Sequence, residues 1–341
     1  MGITKLSDLI RKEAPEAISH RDISDYTGKV IALDTSIVVN QFRTATPGLN
    51  PLIGLFFRTL TFLEHDIKPV FVFDGRPPGE KAAVVSEAGP TLILHFCNNL
   101  LLPSYCFIQV KSAPGDAEAL CAKLVMDRIV DAAASEDMDT LPFGASTLIR
   151  QLKAKKDSDV VEYSLPKVLE KLQITHKEFV DLCILLGCDY CDKITGLGPK
   201  RALTLIQKHR NIETVVLHVN RKTHPVPHLW KYKEARRLFL EPPETVTSEL
   251  TWSEPDEEAL VRFLCHTKRV SVERIHRRME NFRQTREGRR QERERKKVEG
   301  GGSSQTRIKD FFRVTRKRSQ AAVKYHDQLR SSKVHFVQVL S

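Results

Sequence analysis

Two apolar runs near the start of the chain predict strands that each end at an acidic residue. Residues 30–33 run directly into Asp34, and residues 69–73 run directly into Asp74. Between them, residues 52–63 have the apolar spacing of a helix. Strands separated by a helix indicate parallel βαβ units, whose ligands collect beyond the carboxyl ends of the strands. We therefore expect Asp34 and Asp74 at one edge of a parallel sheet.

A third stretch, residues 112–139, adds carboxylates to the same pattern. Pro114 and Gly115 interrupt an extended run, and the apolar spacing that follows predicts a helix with two acids in its first turn. Residues 129–134 are compatible with a buried strand, and two more acids follow it at a spacing of two, on one side of an extended backbone. The four acids are Asp116, Glu118, Asp137 and Asp139.

Carboxylates gathered in one place repel each other unless a cation neutralises them. Taken alone, these four acids fit either a solvated helix start with an acidic turn or a metal site. The expected convergence with Asp34 and Asp74 favours the metal site.

A buried helix and a glycine-rich turn follow further along the chain. Thr175 and Glu178 form the capping box of a helix that we expect to end at Gly187. Asp189 lies just beyond it, where a solvated turn residue is the ordinary alternative.

The next motif, Gly-Leu-Gly-Pro-Lys-Arg-Ala, is typical of a phosphate-binding helix start. Gly196 and Gly198 allow close approach of the backbone to a ligand, and Pro199 suits the first helical position. Backbone N–H groups at that helix start can hold a phosphate, with Lys200 and Arg201 nearby. A plain turn is the alternative, but in a basic protein the combination favours a helix-hairpin-helix clamp.

Charge and composition indicate the class of molecule that the protein binds. The 341 residues carry a formal net charge of +11, with a pI near 9.3, which points to a polyanion: nucleic acid, or acidic lipid headgroups in competition. No apolar run reaches the length of about 18 residues that a membrane span needs, and the first nine residues lack a secretory apolar core. We expect a soluble protein with no membrane partner.

Seven cysteines, an odd number, fit reduced intracellular thiols better than a disulfide framework. Cys183, Cys188 and Cys191 resemble part of a zinc site, but no fourth cysteine or histidine lies nearby at ligand spacing. We interpret them as core or incidental thiols.

Taken in order, blocks from nearly the whole chain resemble the eukaryotic flap endonucleases of the XPG-type structure-specific 5′-nuclease family. These blocks are MGITKLSDLI, VIALDTS, IKPVFVFDGRPP, APGDAEA, ASEDMDTLPFG, FVDLCILLGCDYC and ITGLGPKRALTLIQKH. The resemblance implies an α/β fold: a PIN-like parallel sheet with flanking helices, a helix-hairpin-helix (H2TH-type) DNA-binding element and a disordered basic C-terminal tail.

By that resemblance, seven carboxylates form a catalytic metal site for two Mg²⁺ or Mn²⁺ ions that bridge the scissile phosphate. They are Asp34, Asp74, Asp116, Glu118, Asp137, Asp139 and Asp189. Asp116 replaces the more usual glutamate, which keeps the charge but shortens the reach. Lys81 falls where the family keeps a catalytic lysine that faces the phosphate, and relatives hold a monovalent cation at the helix-hairpin-helix.

The resemblance implies a structure-specific 5′ flap endonuclease and 5′–3′ exonuclease that hydrolyses DNA phosphodiesters. It places such an enzyme in DNA replication (Okazaki fragment maturation) and base excision repair, as a monomer in the nucleus, with nucleolus and mitochondrion as further locations. The expected substrates are DNA with a 5′ flap, gap or nick.

One region departs from the family. Where a long basic helical arch should follow Pro78, residues 82–110 are short and apolar, with Gly89 and Pro90 breaking any helix, and Ala88 stands where the family keeps an arginine. A paralogue with altered chemistry, a splice variant or a gene model that includes non-coding sequence would each explain it. We expect impaired threading of 5′ flaps and weaker turnover. The alternatives are a non-catalytic protein that binds DNA junctions and the sliding clamp, and a 5′ exonuclease or gap nuclease that needs no threading.

The C-terminal region is basic and ends in a recognisable peptide. Residues 283–297 carry eight basic and three acidic side chains, which fits a solvated tail or helix extension as well as a nuclear-import or nucleic-acid patch. After a glycine-serine linker, the spacing of one glutamine, one aliphatic and two aromatic residues matches the peptide that binds the sliding clamp, proliferating-cell nuclear antigen. These residues are Gln305, Ile308, Phe311 and Phe312.

We therefore expect two nuclease regions separated by the arch region, a DNA-binding helical region and a flexible tail. Their predicted bounds are 1–81 and 111–190 for the nuclease, 82–110 for the arch, 191–282 for the helical region and 283–341 for the tail, with the clamp peptide at 305–312.

Overall fold

A seven-stranded sheet lies at the centre of the part of the chain that the computed structural model describes. The described residues are 2–35, 51–75, 109–113, 115–152, 159–241 and 271–299, together with positions 250, 258, 261, 262 and 265. The strands are β1 (Ile18–Asp22), β2 (Val30–Asp34), β3 (Lys68–Phe73), β4 (Gln109–Ser112), β5 (Ala132–Ala134), β6 (Thr147–Arg150) and β7 (Asp159–Ser164).

Helices cover the sheet. They are α1 (Leu6–Glu13), α2 (Pro51–Glu64), α3 (Ala117–Met126), α4 (Leu165–Leu172), α5 (His176–Leu186), α6 (Pro199–His209), α7 (Ile212–His218), α8 (Tyr232–Leu240) and α9 (Val272–Glu299). Among the described residues, no helix has the length and apolar character that crossing a membrane requires.

The sheet has a parallel core with an antiparallel extension at one side. Its strand order is β1-β7-β6-β5-β2-β3-β4, and the five strands from β6 to β4 pair in parallel. The predicted parallel α/β core is therefore confirmed. Strand β7 pairs antiparallel with its neighbour in sequence, β6, and with the distant β1, and the hydrophobic pattern did not predict this extension.

Side chains alternate between two apolar cores because successive residues of a strand point to opposite faces of the sheet. On β2, Ala32 belongs to the core under α1 and α3 to α8, whereas Ile31 and Leu33 belong to the core under α2 and α9. All three side chains are almost fully buried. Burial on both faces explains why these strands are continuous apolar runs.

The helix ends follow the local signals in the sequence. The Oγ1 atom of Thr175 accepts a hydrogen bond from the N–H of Glu178 at 3.3 Å, and the Glu178 carboxylate accepts one from the N–H of Thr175 at 2.7 Å, which confirms the capping box. Gly187 ends α5 with a φ of 107°, and Pro199 opens α6 as predicted.

Two local predictions in the third stretch are wrong. Strand β5 begins at Ala132 rather than at Ile129, because residues 127–131 form the turn that ends α3; Arg128 has a φ of 57°, and the N–H of Ile129 donates to the carbonyl of Leu124 at 3.0 Å. The segment from Asp137 to Asp139 consists of bends and turns rather than extended backbone.

The chain divides into two compact units, residues 1–287 and residues 288–341. The predicted bounds at 81, 110, 190 and 282 lie within the first unit and stay predictions about regions of the chain. Helix α9 crosses the predicted start of the tail at residue 283, which favours the helix extension over a tail for residues 283–299. The remaining tail, with its predicted disorder, lies outside the described residues.

A buried ion pair joins the helices behind the sheet. Arg236 on α8 donates two hydrogen bonds to the carboxylate of Asp181 on α5, at 2.6 and 2.8 Å, and Asp181 is only 1% exposed. Arg236 also contacts Glu213, and Asp181 accepts the N–H of Ile212 at 3.1 Å. Burial nevertheless raises the pKa of Asp181, because desolvation outweighs the stabilising bonds to the charged carboxylate.

Replacement of Arg236 by methionine should lower the free energy of unfolding by about 3 kcal/mol at neutral pH, since it leaves a buried carboxylate without its cation. The pKa of Asp181 should rise further in this variant. Its stability deficit should therefore be largest at about pH 7.5, where the folded carboxyl is held charged, and smaller at about pH 5, as protonation removes the unpaired charge.

Urea denaturation at the two pH values measures both effects. The matched control is Arg237→Met, which removes an exposed arginine from the same helix and should change stability by less than about 0.5 kcal/mol. Equal deficits for the two variants, or a deficit that does not depend on pH, would contradict the assignment of this ion pair.

Candidate active site

Acidic residues meet where the parallel strands end. Asp34 is the last residue of β2, and Asp74 directly follows β3, its parallel neighbour. Strand β5 flanks β2 on the other side and leads into Asp137 and Asp139. Because these parallel strands share a direction, their carboxyl ends bring the four acids to one edge of the sheet, as the sequence pattern predicted.

The start of helix α3 adds two more acids at the same edge. Strand β4 pairs in parallel with β3 and leads into Asp116, the N-cap of α3, while Glu118 lies in the first turn. The N–H of Ala117 donates to the Oδ1 atom of Asp74 at 2.8 Å, which joins the helix start to the end of β3. The prediction of two acids in the first turn of a helix is confirmed for Glu118, whereas Asp116 is the N-cap residue just before the helix.

Ser135 links the acids of two strands. Its hydroxyl donates to the Oδ2 atom of Asp34 at 3.1 Å and accepts the N–H of Asp137 at 3.0 Å. This small residue sits directly after β5, and its hydroxyl fits between Asp34 and the turn that presents Asp137. The serine therefore holds the ends of β2 and β5 in register at the site.

The N-terminus of the chain packs against the second pair of acids. The N–H of Ile3 donates to the Oδ1 atom of Asp139 at 2.8 Å. Gly2 has a φ of 83°, and a Cβ atom at this position would lie 1.5 Å from the Oδ1 atom of Asp137. Only glycine combines this conformation with such a close approach.

Electrostatic interactions connect the acids into one cluster. Burial raises the pKa of Glu118, and the charges of Asp34, Asp74 and Asp137 raise it further. Burial likewise raises the pKa of Asp139, with contributions from Asp137 and Asp189. Like charges held together out of water disfavour ionisation, so the protein alone leaves this cluster electrostatically unsatisfied.

The segment after α5 contributes Asp189 to the cluster, and its Tyr190 contacts Asp116. The hydroxyl of Tyr190 donates to the Oδ2 atom of Asp116. The ring of Tyr190 packs edge-on against Phe143 and Phe239, with centroids 6.1 and 5.2 Å away, so the apolar core holds the tyrosine that contacts the acid. Burial and the charge of Asp116 both raise the pKa of Tyr190, which keeps its hydroxyl protonated as a donor.

The donor set suits hard divalent cations, which prefer carboxylate oxygens. The Oδ1 atom of Asp137 is buried and has no hydrogen-bond partner, as expected for an atom that a cation would satisfy. Within the described ranges, however, no three acid, histidine or cysteine side chains already converge tightly enough to enclose an ion. The residue types and the unsatisfied oxygen fit a metal site, and the carboxylates would have to close around the ion.

The glycine-rich turn lies on the segment that connects α5 to α6. Gly196 has a φ of 75°, and a Cβ atom there would come within 3.3 Å of the Nδ1 atom of His224, whereas a Cβ atom at Gly198 would meet open space. Gly198 is the N-cap of α6 and makes no side-chain cap, and Lys200 and Arg201 in the first turn are exposed. This helix start is thus built as a phosphate site would require.

Comparison with known proteins decides the family. The XPG N-terminal domain matches residues 1–87, and the XPG I-region matches residues 107–189. The chain is 56% identical to a probable flap endonuclease 1 homolog of Danio rerio over 95% of this chain and 97% of that protein. It is 39% identical to flap endonuclease 1 of Homo sapiens over 98% of this chain and 96% of that protein.

The chain belongs to the flap endonuclease family. It is therefore a nuclease, a hydrolase that acts on DNA.

Solved structures share the fold. The catalytic core of Rad2 in complex with a DNA substrate superposes with a TM-score of 0.69 at 21% identity, over 82% of this chain and 100% of that one. The Holliday junction-resolving enzyme GEN1, in complex with product DNA, Mg²⁺ and Mn²⁺, superposes with a TM-score of 0.56 at 23% identity, over 76% of this chain and 72% of that one. At these identities the likeness shows the fold alone.

Several predicted functional residues of this flap endonuclease lie outside the described residues. They are Lys81, the arch position Ala88 and the clamp peptide Gln305, Ile308, Phe311 and Phe312. Conversely, the sequence analysis missed Gly2, Ser135 and Tyr190 as parts of the site. Each lies within a block that resembles the family, but only the fold shows that each one contacts an acid of the cluster.

Replacement of Gly2 by alanine should lower the cleavage rate of this flap endonuclease by about 10- to 100-fold, because the new methyl group would displace Asp137. Gly28→Ala is the matched control: its φ is also 83°, but a Cβ atom there has no neighbour within 4 Å. The control carries the same backbone strain without the collision.

Single-turnover cleavage of a labelled flap DNA, together with circular dichroism to verify folding, measures the effect. If both alanine variants cleave at the same rate, Gly2 does not position the acid.

Proposed function

We propose that the chain is a structure-specific 5′ flap endonuclease and 5′–3′ exonuclease that hydrolyses DNA phosphodiesters with two divalent metal ions, Mg²⁺ or Mn²⁺. The observation that carries this proposal is the gathering of carboxylates at the carboxyl edge of the sheet, where Glu118 interacts with Asp34, Asp74 and Asp137, and Asp139 with Asp137 and Asp189, while Tyr190 bonds Asp116. A cluster of this kind is costly for folding and is expected only where cations use it.

Two subsets of acids suit two ions. Glu118 interacts with Asp34, Asp74 and Asp137, and Asp139 interacts with Asp137 and Asp189, so Asp137 lies between the two subsets. We assign one ion to the subset Asp34, Asp74, Asp116 and Glu118, and the other to the subset Asp137, Asp139 and Asp189. When bound, such ions supply a water of lowered pKa and stabilise negative charge on the attacked phosphate.

The chain's own residues position these ligands. Ser135 and the N–H of Ala117 orient Asp34 and Asp74, and Tyr190 orients Asp116. The N-terminal backbone at Ile3 orients Asp139. Preorganised donors of this kind reduce the reorganisation that the reaction would otherwise require.

The start of α6 serves to hold the DNA backbone away from the cut. Its first-turn N–H groups and the exposed Lys200 and Arg201 suit a phosphate of duplex DNA, and the turn at Gly196 would accommodate a monovalent cation, as the family resemblance implies. Contacts to phosphates report the shape of DNA rather than its base sequence, so 5′ flap, gap and nicked structures are the proposed substrates.

The biological setting follows from the same resemblance. We place the enzyme in the nucleus as a monomer, in DNA replication (Okazaki fragment maturation) and base excision repair, bound through residues 305–312 to the sliding clamp, proliferating-cell nuclear antigen. The clamp peptide and the basic residues 283–297 of the sequence support this setting.

A catalytically impaired protein that binds DNA junctions and the sliding clamp is the second candidate. The observation in its favour is the apolar sequence of residues 82–110, with Ala88 at the position of the family's arginine. The intact carboxylate cluster opposes it, because a protein that only binds DNA has no need to bury these acids.

Mg²⁺-dependent cleavage of a labelled double-flap DNA and of a 5′-recessed duplex tests the proposal. The variant Asp137→Asn/Asp139→Asn should lose at least about 1,000-fold in rate, since ligands of a catalytic metal contribute several kcal/mol to the transition state. Glu136→Gln is the matched control. This acid directly precedes Asp137 in sequence, but it accepts a hydrogen bond from the N–H of Gln151 at 2.9 Å and should be dispensable.

The two substrates separate the candidates. Cleavage at the base of the flap supports the endonuclease, and degradation of the recessed end alone supports an exonuclease that does not thread a flap. Salt-sensitive DNA binding without cleavage of either substrate supports the non-catalytic candidate and contradicts the proposal.

Clamp binding has its own test. The variant Phe311→Ala/Phe312→Ala should weaken binding to proliferating-cell nuclear antigen by at least about 100-fold, because it removes the aromatic side chains that would fill the clamp's groove. Isothermal titration calorimetry of the full chain measures the affinity. Arg313→Ala, just beyond the peptide, is the control, and normal binding by the double variant would refute the assignment.

A further inference from the structure

Two cysteines close the short turn that presents two residues of the active site. Cys188 and Cys191 face each other in an isolated antiparallel bridge, and their sulfur atoms are 3.8 Å apart. Asp189 and Tyr190 are the two residues between them. The functional site described above leaves this thiol pair without a role.

The geometry of the pair suits a disulfide. Residues opposite each other in an antiparallel bridge have Cα atoms about 4.5–5.5 Å apart, within the range of about 4.4–6.8 Å that disulfides span. The sulfur atoms would have to approach by about 1.8 Å to reach the S–S bond length of about 2.05 Å. Rotation of the two side chains can supply part of that distance, and movement of the turn must supply the rest.

The surroundings favour oxidation of this pair over other described thiols. Cys188 and Cys191 are both partly exposed, whereas Cys121 and Cys183 are buried. Cys265 is also partly exposed, and it provides a comparison for a thiol outside the turn. Reversible oxidation of a Cys-x-x-C pair in a reducing compartment is typical of a regulated rather than a structural bond.

Movement of the turn would shift two residues that contact the carboxylate cluster. The hydroxyl of Tyr190 bonds Asp116, and Asp189 interacts with Asp139. The segment just after the turn is held by the indole of Trp230, which donates to the carbonyl of Asp192 at 2.5 Å. Because this anchor restricts one end, closure of the S–S bond would displace the residues within the turn.

We propose that Cys188 and Cys191 form a redox-modification site at which hydrogen peroxide converts the two thiols into a disulfide, and that this disulfide lowers nuclease activity by displacing Asp189 and Tyr190. The effect on activity rests on the proposed function, whereas formation of the disulfide does not.

The reaction is balanced. The sulfur of one cysteine attacks a peroxide oxygen, the O–O bond breaks, and a sulfenic acid and one water result. The sulfur of the other cysteine then displaces the sulfenic hydroxyl as a second water, and the S–S bond forms. The two thiols lose two electrons and two protons, and the peroxide is reduced to two waters.

Peptide mass spectrometry tests formation of the bond. After peroxide treatment of the full chain, alkylation and trypsin digestion, the peptide that holds residues 188–191 should carry two fewer alkyl groups and weigh about 2 Da less than its two-thiol form. Dithiothreitol should restore both thiols. The variant Cys191→Ser excludes pairing of Cys188 with the neighbouring Cys183, because that bond would persist in it and would overturn the assignment.

Flap cleavage measured before and after treatment tests the consequence. Peroxide should lower the wild-type rate at least about tenfold, dithiothreitol should restore it, and Cys188→Ser and Cys191→Ser should resist peroxide. The matched control Cys265→Ser should remain as sensitive as the wild type.

The results distinguish failure of the redox proposal from failure of the proposed function. Persistent free thiols at Cys188 and Cys191, unchanged activity of the oxidised protein, or equal inactivation of the serine variants would each overturn the proposal. If the untreated protein cleaved no DNA, the proposed function would fail instead, and the mass shift alone would decide whether the disulfide forms.

Discussion

Repulsion among buried carboxylates is the constraint on which the active site depends. Burial and neighbouring charges raise the pKa values of Glu118 and Asp139. Folding therefore brings these acids together despite their mutual repulsion. An uncompensated charge in such a place costs several kcal/mol, which is a large part of a typical domain's stability. The two apolar cores that sandwich the parallel strands offset this cost.

The acids lie close together because they are attached at or near the ends of strands and helices. Strands β2 and β3 end at Asp34 and Asp74, α3 begins after Asp116, and the turns after β5 and α5 carry the remaining aspartates. Short contacts then set the side chains: Ser135 bridges two strand ends, and the N-terminal backbone closes over Asp139. The N-terminal backbone is thus a structural part of the site, although Ile3 is 136 residues from Asp139 in sequence.

The segment between α5 and α6 joins three roles within a short stretch. It carries Asp189 for the cluster, the thiol pair Cys188 and Cys191, and the glycine turn that leads into the start of α6, where we propose a phosphate site. Its ends are held by the buried helix α5 and by α6, and the pair formed by Asp181 and Arg236 fixes α5 against α8. The carboxylate cluster and the proposed phosphate site are therefore close along the chain.

Local signals in the sequence determined the elements and much of the cluster. Apolar runs that end at Asp34 and Asp74, the capping box at Thr175 and the proline at position 199 all act within a few residues, so their effects are readable in order along the chain. Only the tertiary structure decided the close approach of Gly2 to Asp137, the bond from Tyr190 to Asp116, the partner of Asp181 and the antiparallel strands β7 and β1. These contacts join residues that are distant in sequence. The local sequence pattern around a residue does not specify which distant residue it will contact, because that depends on how the elements pack.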